Sequence, residues 1–172
     1  DSFKYNKIQN ELYENGNVIN DDLLNNILIE SEDLNYLVNK NIIFTNTRSK
    51  ATGKNTIINA DNFKFNRSTN ELNAHGNAEI EDLVKKIIVQ SDRINFFNNK
   101  KKFSTKGKSK AFDNGLRINA DEFEYNKTLN IANAYKNVVI NDEIQDVIIF
   151  TENSTYFRNK EKIVTRGKTD AI

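Results

Sequence analysis

The chain has 172 residues, and its 25 basic and 24 acidic residues give a formal net charge of +1. That length allows one sizeable core, and the charge balance disfavours a nucleic-acid binder, which needs a clustered excess of Lys and Arg. The absence of Cys excludes disulfides, thiolate metal sites and cysteine nucleophiles. The longest apolar runs, such as residues 147–150, are far too short for a transmembrane helix.

One stretch of the sequence occurs three times, in residues 1–21, 58–82 and 118–142. The copies are sixty residues apart with no insertion or deletion, so that Phe63 has counterparts sixty residues away on either side. Such a strict period indicates one supersecondary unit stacked on itself. We therefore predict a single domain over residues 1–172. The absence of Met and the matching repeat phases at the two ends favour a fragment or processed chain of a longer protein.

Within each sixty-residue unit, four polar clusters separate four runs of about ten residues. In the central unit the clusters are residues 66–70, 81–85, 98–101 and 112–115. Asn and Gly tolerate positive φ, so these clusters are expected to be turns, and the chain has no Pro to interrupt a strand. Short turns join antiparallel neighbours. The sequence therefore predicts an all-β antiparallel fold of about twelve strands.

The runs between the turns alternate between apolar or small residues and polar residues. One face of the central run carries Leu72, Ala74, Gly76, Ala78 and Ile80, and the other face carries Asn73, His75, Asn77 and Glu79. This period of two is typical of a half-buried strand. Further small residues follow in the third unit at Ala132 and Ala134.

The alternation changes phase without a turn near Asp61, Asp92 and Asp121. A phase change within a strand predicts a β-bulge or corner that lets a long strand bend around a curved core. A weaker repeat of thirty residues indicates that the elementary unit is a hairpin. We expect the two hairpins of each unit to lie on opposite walls of a folded-over sheet.

The motifs A-D-x-F-x-Y-N, N-x-L-x-A-x-G-N, S-D-x-I and T-x-G-x-x-x-A resemble those of the OstA-like family of lipopolysaccharide transport. The residues that carry the resemblance in the central unit are Ala60, Asp61, Phe63, Phe65, Leu72, Ala74, Gly76, Asn77, Ile80, Ser91, Asp92, Ile94, Phe96, Thr105, Gly107 and Ala111. Lys136 and Thr47 depart from the pattern, because the equivalent positions of other units hold Gly. At those two positions we do not expect the close approach of strands that glycine allows.

The resemblance implies a V-shaped β-jellyroll whose apolar slot shelters the lipid A acyl chains of lipopolysaccharide in the periplasm of a Gram-negative bacterium, at the outer membrane. It also implies partners: other jellyroll modules joined by edge-strand pairing, and an outer-membrane barrel if the chain is the amino-terminal domain of LptD. That domain is the first expectation, and an LptA-like bridge protein is the alternative. No cofactor or metal is expected.

The predicted slot lining cannot be separated from a packed β-sandwich core by sequence alone. The candidates are Phe3, Tyr5, Leu12, Phe63, Phe65, Leu72, Ile80, Val89, Ile94, Phe96, Phe103, Phe123, Tyr125, Ile140, Ile149 and Tyr156.

Other chemistry-bearing residues favour structural roles. His75 is the only histidine, and no Ser or carboxylate recurs with it, so no catalytic residue is predicted. The recurring Asp residues and the acidic turn at residues 20–22 lack a calcium-loop pattern, which favours caps and bulge hydrogen bonds. The basic cluster of Lys100, Lys101, Lys102, Lys106, Lys108 and Lys110 either attracts lipid phosphates or forms a solvated edge that discourages aggregation.

The sequence is compatible with two functions. A lipid conduit needs an interior that admits acyl chains. A structural or adhesive β-repeat that serves as a spacer needs an interior filled by its own large side chains. An enzyme is disfavoured because no set of titratable residues converges on one point of the repeat.

Overall fold

The computed structural model describes residues 2–172, and apart from three single-turn 3-10 helices its regular structure is β-strand. The strands are β1 (Ser2–Asn6), β2 (Glu11–Asp22), β3 (Ile27–Leu37), β4 (Ile42–Phe44), β5 (Ser49–Gly53), β6 (Thr56–Ala60), β7 (Asn62–Asn66), β8 (Glu71–Asp82), β9 (Ile87–Phe97), β10 (Lys102–Lys106), β11 (Ser109–Asp113), β12 (Leu116–Ala120), β13 (Glu122–Asn126), β14 (Ile131–Asp142), β15 (Val147–Phe157) and β16 (Lys162–Ala171). The 3-10 helices cover Val38–Lys40, Asn98–Lys100 and Arg158–Lys160. Within residues 2–172, no helix is long and apolar enough to cross a membrane.

The predicted all-β antiparallel fold is confirmed, since the strands form one sheet whose pairs are antiparallel. The strands number sixteen in the described chain, more than the twelve or so expected, because several predicted runs break in two. One run divides into β6 and β7 at Asp61, and its copy divides into β12 and β13 at Asp121. The expected turns are present at the polar clusters of the central unit.

The sheet folds into two walls because its long strands belong to both. Residues 71–75 of β8 pair with β7, whereas residues 79–82 pair with β6. Its neighbour β9 pairs with β10 through residues 93–97 and with β11 through residues 88–90. We call the wall that contains β4, β7, β10 and β13 the first wall, and the wall that contains β5, β6, β11 and β12 the second wall.

This arrangement corrects one expectation from the thirty-residue repeat. The hairpin of β8 and β9 does not lie on one wall, because its two strands pair with each other along both the first and the second wall. Only the short strands are confined to a single wall. The long hairpins therefore connect the walls along a line that we call the hinge.

The predicted change of phase at Asp92 is confirmed, and the extra residue lies on the partner strand. His75 of β8 is opposite Arg93, and Ala78 is opposite Ser91. Gly76 and Asn77 of β8 therefore both lie opposite the single residue Asp92 of β9. This is the two-against-one count of a β-bulge, which bends the strand and increases its twist. Similar irregularities follow Tyr135 in β14 and Thr151 in β15.

At the hinge, the Asp61 side chain packs against Gly76, whose backbone is left-handed. The Asp61 backbone N–H donates to the Gly76 carbonyl at 2.9 Å, and Asn77 Nδ2 donates to Asp61 Oδ2 at 2.8 Å. Gly76 has φ of +74°, and a Cβ on it would lie 3.0 Å from the Asp61 Cβ. Gly107 meets Asp92 in the same way, and Gly167 meets Glu152. The acidic residues of the hinge therefore hold the bulges, as the sequence favoured.

The two departures from the glycine pattern are accommodated differently. Lys136 keeps the left-handed backbone, with φ of 62°, despite its side chain. Thr47 does not, and instead its hydroxyl and the Asn46 backbone N–H donate to Asp33 at 2.7 and 2.9 Å. The loss of glycine at this position accompanies a shortened strand, since β4 covers three residues and its copy β10 covers five.

Buried hydroxyls line the inner side of the hinge. The Ser109 Oγ lies 2.7 Å from Thr105 Oγ1 and 3.0 Å from Ser91 Oγ, and Thr105 Oγ1 accepts the Phe123 N–H at 2.8 Å. The same set occurs sixty residues earlier in Ser31, Thr45 and Ser49. These bonds satisfy polar groups that the bend leaves without strand partners, and they keep the walls joined at a fixed line.

We predict that Gly76→Ala lowers the free energy of unfolding by about 1–3 kcal/mol, because a non-glycine residue at positive φ is strained and its Cβ would collide with Asp61. Urea unfolding followed by circular dichroism measures the change. Gly53→Ala is the matched control, since the nearest atom to a Cβ there is 3.8 Å away. Equal effects of the two substitutions would contradict this account of the hinge.

Candidate functional site

The interior between the two walls gathers most of the predicted slot residues into one buried apolar cluster. Its predicted members are Phe63, Phe65, Leu72, Ile80, Val89, Ile94, Phe96, Phe103, Phe123, Tyr125 and Ile140, with Ile149 and Tyr156 partly buried against it. The small residues Ala74, Ala78 and Ala134 are buried in the same cluster. The cluster runs through all three repeat units and draws side chains from both walls.

Three predicted residues lie outside this cluster. Phe3 and Tyr5 are 63% and 52% exposed, and Leu12 is only partly buried. β1 pairs with β2 alone, and no described strand of the second wall faces it. Phe63, the counterpart of Phe3, is buried because the second wall continues opposite it as β6.

The interior has a small gap near its carboxyl-terminal end. A cavity of about 40 Å³ lies between Phe103, Phe123 and Tyr156 of the first wall and Leu116 and Ile118 of the second. That volume is a small fraction of an ordinary ligand pocket. In this conformation the walls enclose an apolar interior that side chains nearly fill.

The walls also touch along a second line, opposite the hinge, which we call the mouth. Here the turns at the ends of the first wall meet those of the second wall, and ion pairs join them. The cross-mouth pairs are Arg67 with Asp22 at 2.6 Å, Lys127 with Asp82 at 3.1 Å and Arg158 with Asp113 at 2.7 Å. In each pair the basic residue follows its acidic partner by 45 residues. The three pairs form a ladder across the mouth, each between a cation of the first wall and a carboxylate of the second.

The first rung is nearly buried on its acidic side, where the Asp22 side chain is 1% exposed. Burial alone raises the pKa of Asp22, but hydrogen bonds from Arg67 and Asn25 outweigh it and leave the pKa below its ordinary value. The same Asp22 contact raises the pKa of Arg67, whose Nη1 also donates to Tyr36 Oη at 2.9 Å. Both groups of this rung are therefore held in their charged forms.

The Asp82 rung is part of a larger polar group. Lys127 Nζ donates to Thr56 Oγ1 at 2.6 Å as well as pairing with Asp82. Burial raises the pKa of Asp82, but the Lys85 backbone N–H at 3.0 Å, together with Lys127, lowers it below the ordinary value. Lys85 Nζ contacts Tyr125 Oη at 3.3 Å, and burial lowers the pKa of this lysine. The polar group around the Asp82–Lys127 pair therefore contacts the aromatic lining of the interior through Lys85 and Tyr125.

A rung is absent where the repeat would place one. Gly53 occupies the position equivalent to Asp113, and Asn98 the position equivalent to Arg158. Asn98 Nδ2 donates to the Asn25 carbonyl at 3.0 Å, just as Arg158 Nη2 donates to the Lys85 carbonyl at 3.0 Å, but no carboxylate faces it. A cleft of about 720 Å³ opens in the mouth at this point.

The other residues considered from the sequence have structural or surface positions. His75 lies on the outer face opposite Asn62 and Arg93, and burial, with Arg93 and Lys64 nearby, lowers its pKa. Within residues 2–172, no group of three or more His, Cys, Asp or Glu side chains is placed to hold a metal ion.

The lysines of the basic cluster, at positions 100–102, 106, 108 and 110, are exposed, but the expected position of the cluster on a sheet edge is wrong. β10 pairs with β9 and β13, and β11 pairs with β9 and β12, so both strands lie inside their walls.

Sequence reasoning missed the ladder, although a signal for it was present. The acidic residue of each rung ends a strand and the basic residue follows one, so each looks like part of an ordinary polar connection when it is read alone. The constant spacing of 45 residues between an acidic and a basic position would have indicated a contact that repeats with the sixty-residue unit.

Comparison with known proteins identifies the architecture. No protein-family profile and no curated protein matches the sequence. Among solved structures, the fold is similar to that of LptH, described as the LptA-homologous periplasmic component of the conserved lipopolysaccharide transport device from Pseudomonas aeruginosa. The TM-score is 0.55 at 10% identity over 89% of this chain and 98% of LptH. This chain has the LptH fold. The jellyroll architecture that the OstA-like resemblance implied is thereby confirmed.

We predict that Lys127→Gln lowers the free energy of unfolding by about 1–3 kcal/mol, because it leaves the buried Asp82 carboxylate without its cation. The matched control is Lys136→Gln, which removes an exposed pair with Glu122 and should cost at most about 1 kcal/mol. Urea unfolding at neutral pH measures both. A Lys127 variant as stable as the Lys136 variant would show that the rung contributes nothing to the closed state.

The ladder also predicts an acid-sensitive stability. The pKa of Asp82 is lower in the folded than in the unfolded chain, so its contribution is complete above the ordinary carboxyl value of about 3.9 and is lost as the pH falls through the folded value. Urea unfolding between about pH 2 and pH 6 should show a shallower acid loss in Asp82→Asn than in the wild type. Glu122→Gln removes an exposed carboxylate instead and should retain the wild-type slope. Parallel slopes for the wild type and Asp82→Asn would contradict the prediction.

Proposed function

We propose that this chain is a lipid-conduit module of the OstA-like family, which shelters the acyl chains of lipopolysaccharide and passes them toward the outer membrane in the periplasm of a Gram-negative bacterium. The observation that carries the proposal is the apolar interior, which is continuous across three repeat units and bounded by two walls. An interior of this form offers acyl chains a path that avoids water, and burial of each methylene contributes about 0.8 kcal/mol.

The likeness to LptH supports the same proposal, because that protein's description places it in lipopolysaccharide transport. Between the two candidate forms, this likeness favours a periplasmic bridge of the LptA type over the amino-terminal domain of LptD. The coding sequence after Ile172 separates these two forms. Alternating strands with aromatic girdles would indicate LptD and its outer-membrane barrel, and a stop codon would indicate a bridge protein.

The ends of the sheet support partners of the same kind. β1 pairs only with β2, and β16 pairs only with β15, so each presents a row of backbone groups with no partner among the described strands. β16 is ten residues long and mostly exposed. Such strands accept a further strand by β-augmentation. We infer that further jellyroll modules join the chain at these edges.

The dense packing of the interior favours a second candidate function, that of a structural spacer. The gap of about 40 Å³ between the walls is too small for an acyl chain, and large side chains such as Phe63, Phe65 and Phe96 are buried in the interior. A conduit must therefore open its mouth to take up lipid, whereas a spacer keeps it shut. Lipid capture from inside the walls distinguishes the two functions.

We predict that a photoreactive residue in place of Phe96, which points into the interior, captures lipopolysaccharide on ultraviolet irradiation of cells, as does one in place of Phe65. The matched control is Asn73, one strand away on the outer face of the first wall. Immunoblotting for lipopolysaccharide on the purified protein measures capture. Labelling from Asn73 alone, or from no position in a variant that keeps its circular dichroism spectrum, would reject the conduit in favour of the spacer.

A further inference from the structure

The missing rung of the ladder leaves an opening at one place in the mouth. The rungs at Asp22, Asp82 and Asp113 join the walls on either side of it, whereas Gly53 presents no side chain to Asn98. The Asn25 backbone carbonyl accepts hydrogen bonds from the side-chain amides of Asn98 and Asn70, so the walls meet here through neutral contacts. The resulting cleft of about 720 Å³ has the size of an ordinary ligand site.

The lining of the cleft is amphipathic. At its floor lies Phe96, a buried member of the apolar interior. Its rim carries Leu24 and Val84, two turn residues that are 89% and 67% exposed. Exposed aliphatic side chains on both sides of an opening into an apolar core suit a hydrocarbon chain that passes between them.

The polar part of the lining is positively charged. It contains Lys54, Lys85, Lys101 and Lys127, against the single carboxylate of Asp82. Lys127 already pairs with that carboxylate. Lys54 and Lys101 are exposed and form no ion pair with any residue from 2 to 172. The cleft therefore has two cations available for an anion from outside.

We propose that this cleft is the site at which a phosphate-bearing lipid enters the interior, with its phosphate on Lys54 and Lys101 and its acyl chain directed past Leu24 and Val84 toward Phe96. The proposal rests on the conduit function and adds the point of entry and the headgroup chemistry. A phosphate suits the lysines by charge, and a hydrocarbon chain suits the apolar rim and floor. The remaining rungs hold the walls together on either side of the entry point.

Restoring the absent rung tests the entry site. The variant Gly53→Asp/Asn98→Arg copies the pair found sixty residues later in Asp113 and Arg158. A Cβ at Gly53 has 3.8 Å to its nearest neighbour, and its φ lies outside the left-handed region, so the substitution fits the backbone. We expect this variant to keep the wild-type unfolding midpoint and to bind dodecyl phosphate at least about tenfold more weakly.

The chain has no Cys, so Asn55→Cys on the rim of the cleft carries a single environment-sensitive dye for the titration. Lys54→Gln/Lys101→Gln should weaken dodecyl phosphate roughly tenfold or more, because two cations near the headgroup are lost. Lys106→Gln/Lys108→Gln removes the same charge outside the cleft and should leave the titration unchanged.

Two further ligands separate the headgroup from the chain. The proposal would be overturned if inorganic phosphate bound as tightly as dodecyl phosphate. It would also be overturned if uncharged dodecyl maltoside bound as tightly as dodecyl phosphate. Equal binding to the wild type and to the restored-rung variant would likewise overturn it. If lipopolysaccharide is still captured at Phe96 when the restored rung is present, the conduit stands and this entry site is wrong. If Phe96 captures none even in the wild type, the conduit function itself fails.

Discussion

The fold depends on long strands that must serve both walls. A strand can do so only where it bends, and the bend is built from a bulge in which an acidic side chain rests on a left-handed residue, as Asp61 rests on Gly76. The bulge adds one residue to one strand, so the apolar faces on both sides of the bend point into the same interior. Without it, one half of each long hairpin would turn its apolar face to water.

The hinge and the mouth bound the same interior with different chemistry. At the hinge, short buried hydroxyls such as Thr105 and Ser109 replace the hydrogen bonds that the bend interrupts, which makes that line permanent. At the mouth, long charged side chains reach across from one wall to the other. An ion pair that separates into water recovers the hydration of both charges, so a ladder of such pairs closes the walls without fixing them irreversibly.

The ladder reconciles the packed interior with the conduit function that we propose. Acyl chains need room that the closed walls do not have, since the gap beside Tyr156 is about 40 Å³. The absent rung between Gly53 and Asn98 supplies a place where the mouth is already parted and where apolar and cationic side chains occur together. The same repeat that builds the walls thus also sets where they are open, through the choice of residues at two positions of one unit.

The sequence by itself determined the β-class, the turns, the antiparallel pairing and most of the interior, because period-two alternation and a strict sixty-residue repeat are local properties that survive folding. It also located the bend at Asp92, since a change of phase has few other causes. The tertiary structure alone decided which strands face each other across the interior. That pairing buries Phe63 and leaves Phe3 exposed, although the two occupy the same place in the repeat. It also joins Asp22 to Arg67 over 45 residues, because contacts between walls depend on where the sheet folds and not on the pattern within any strand.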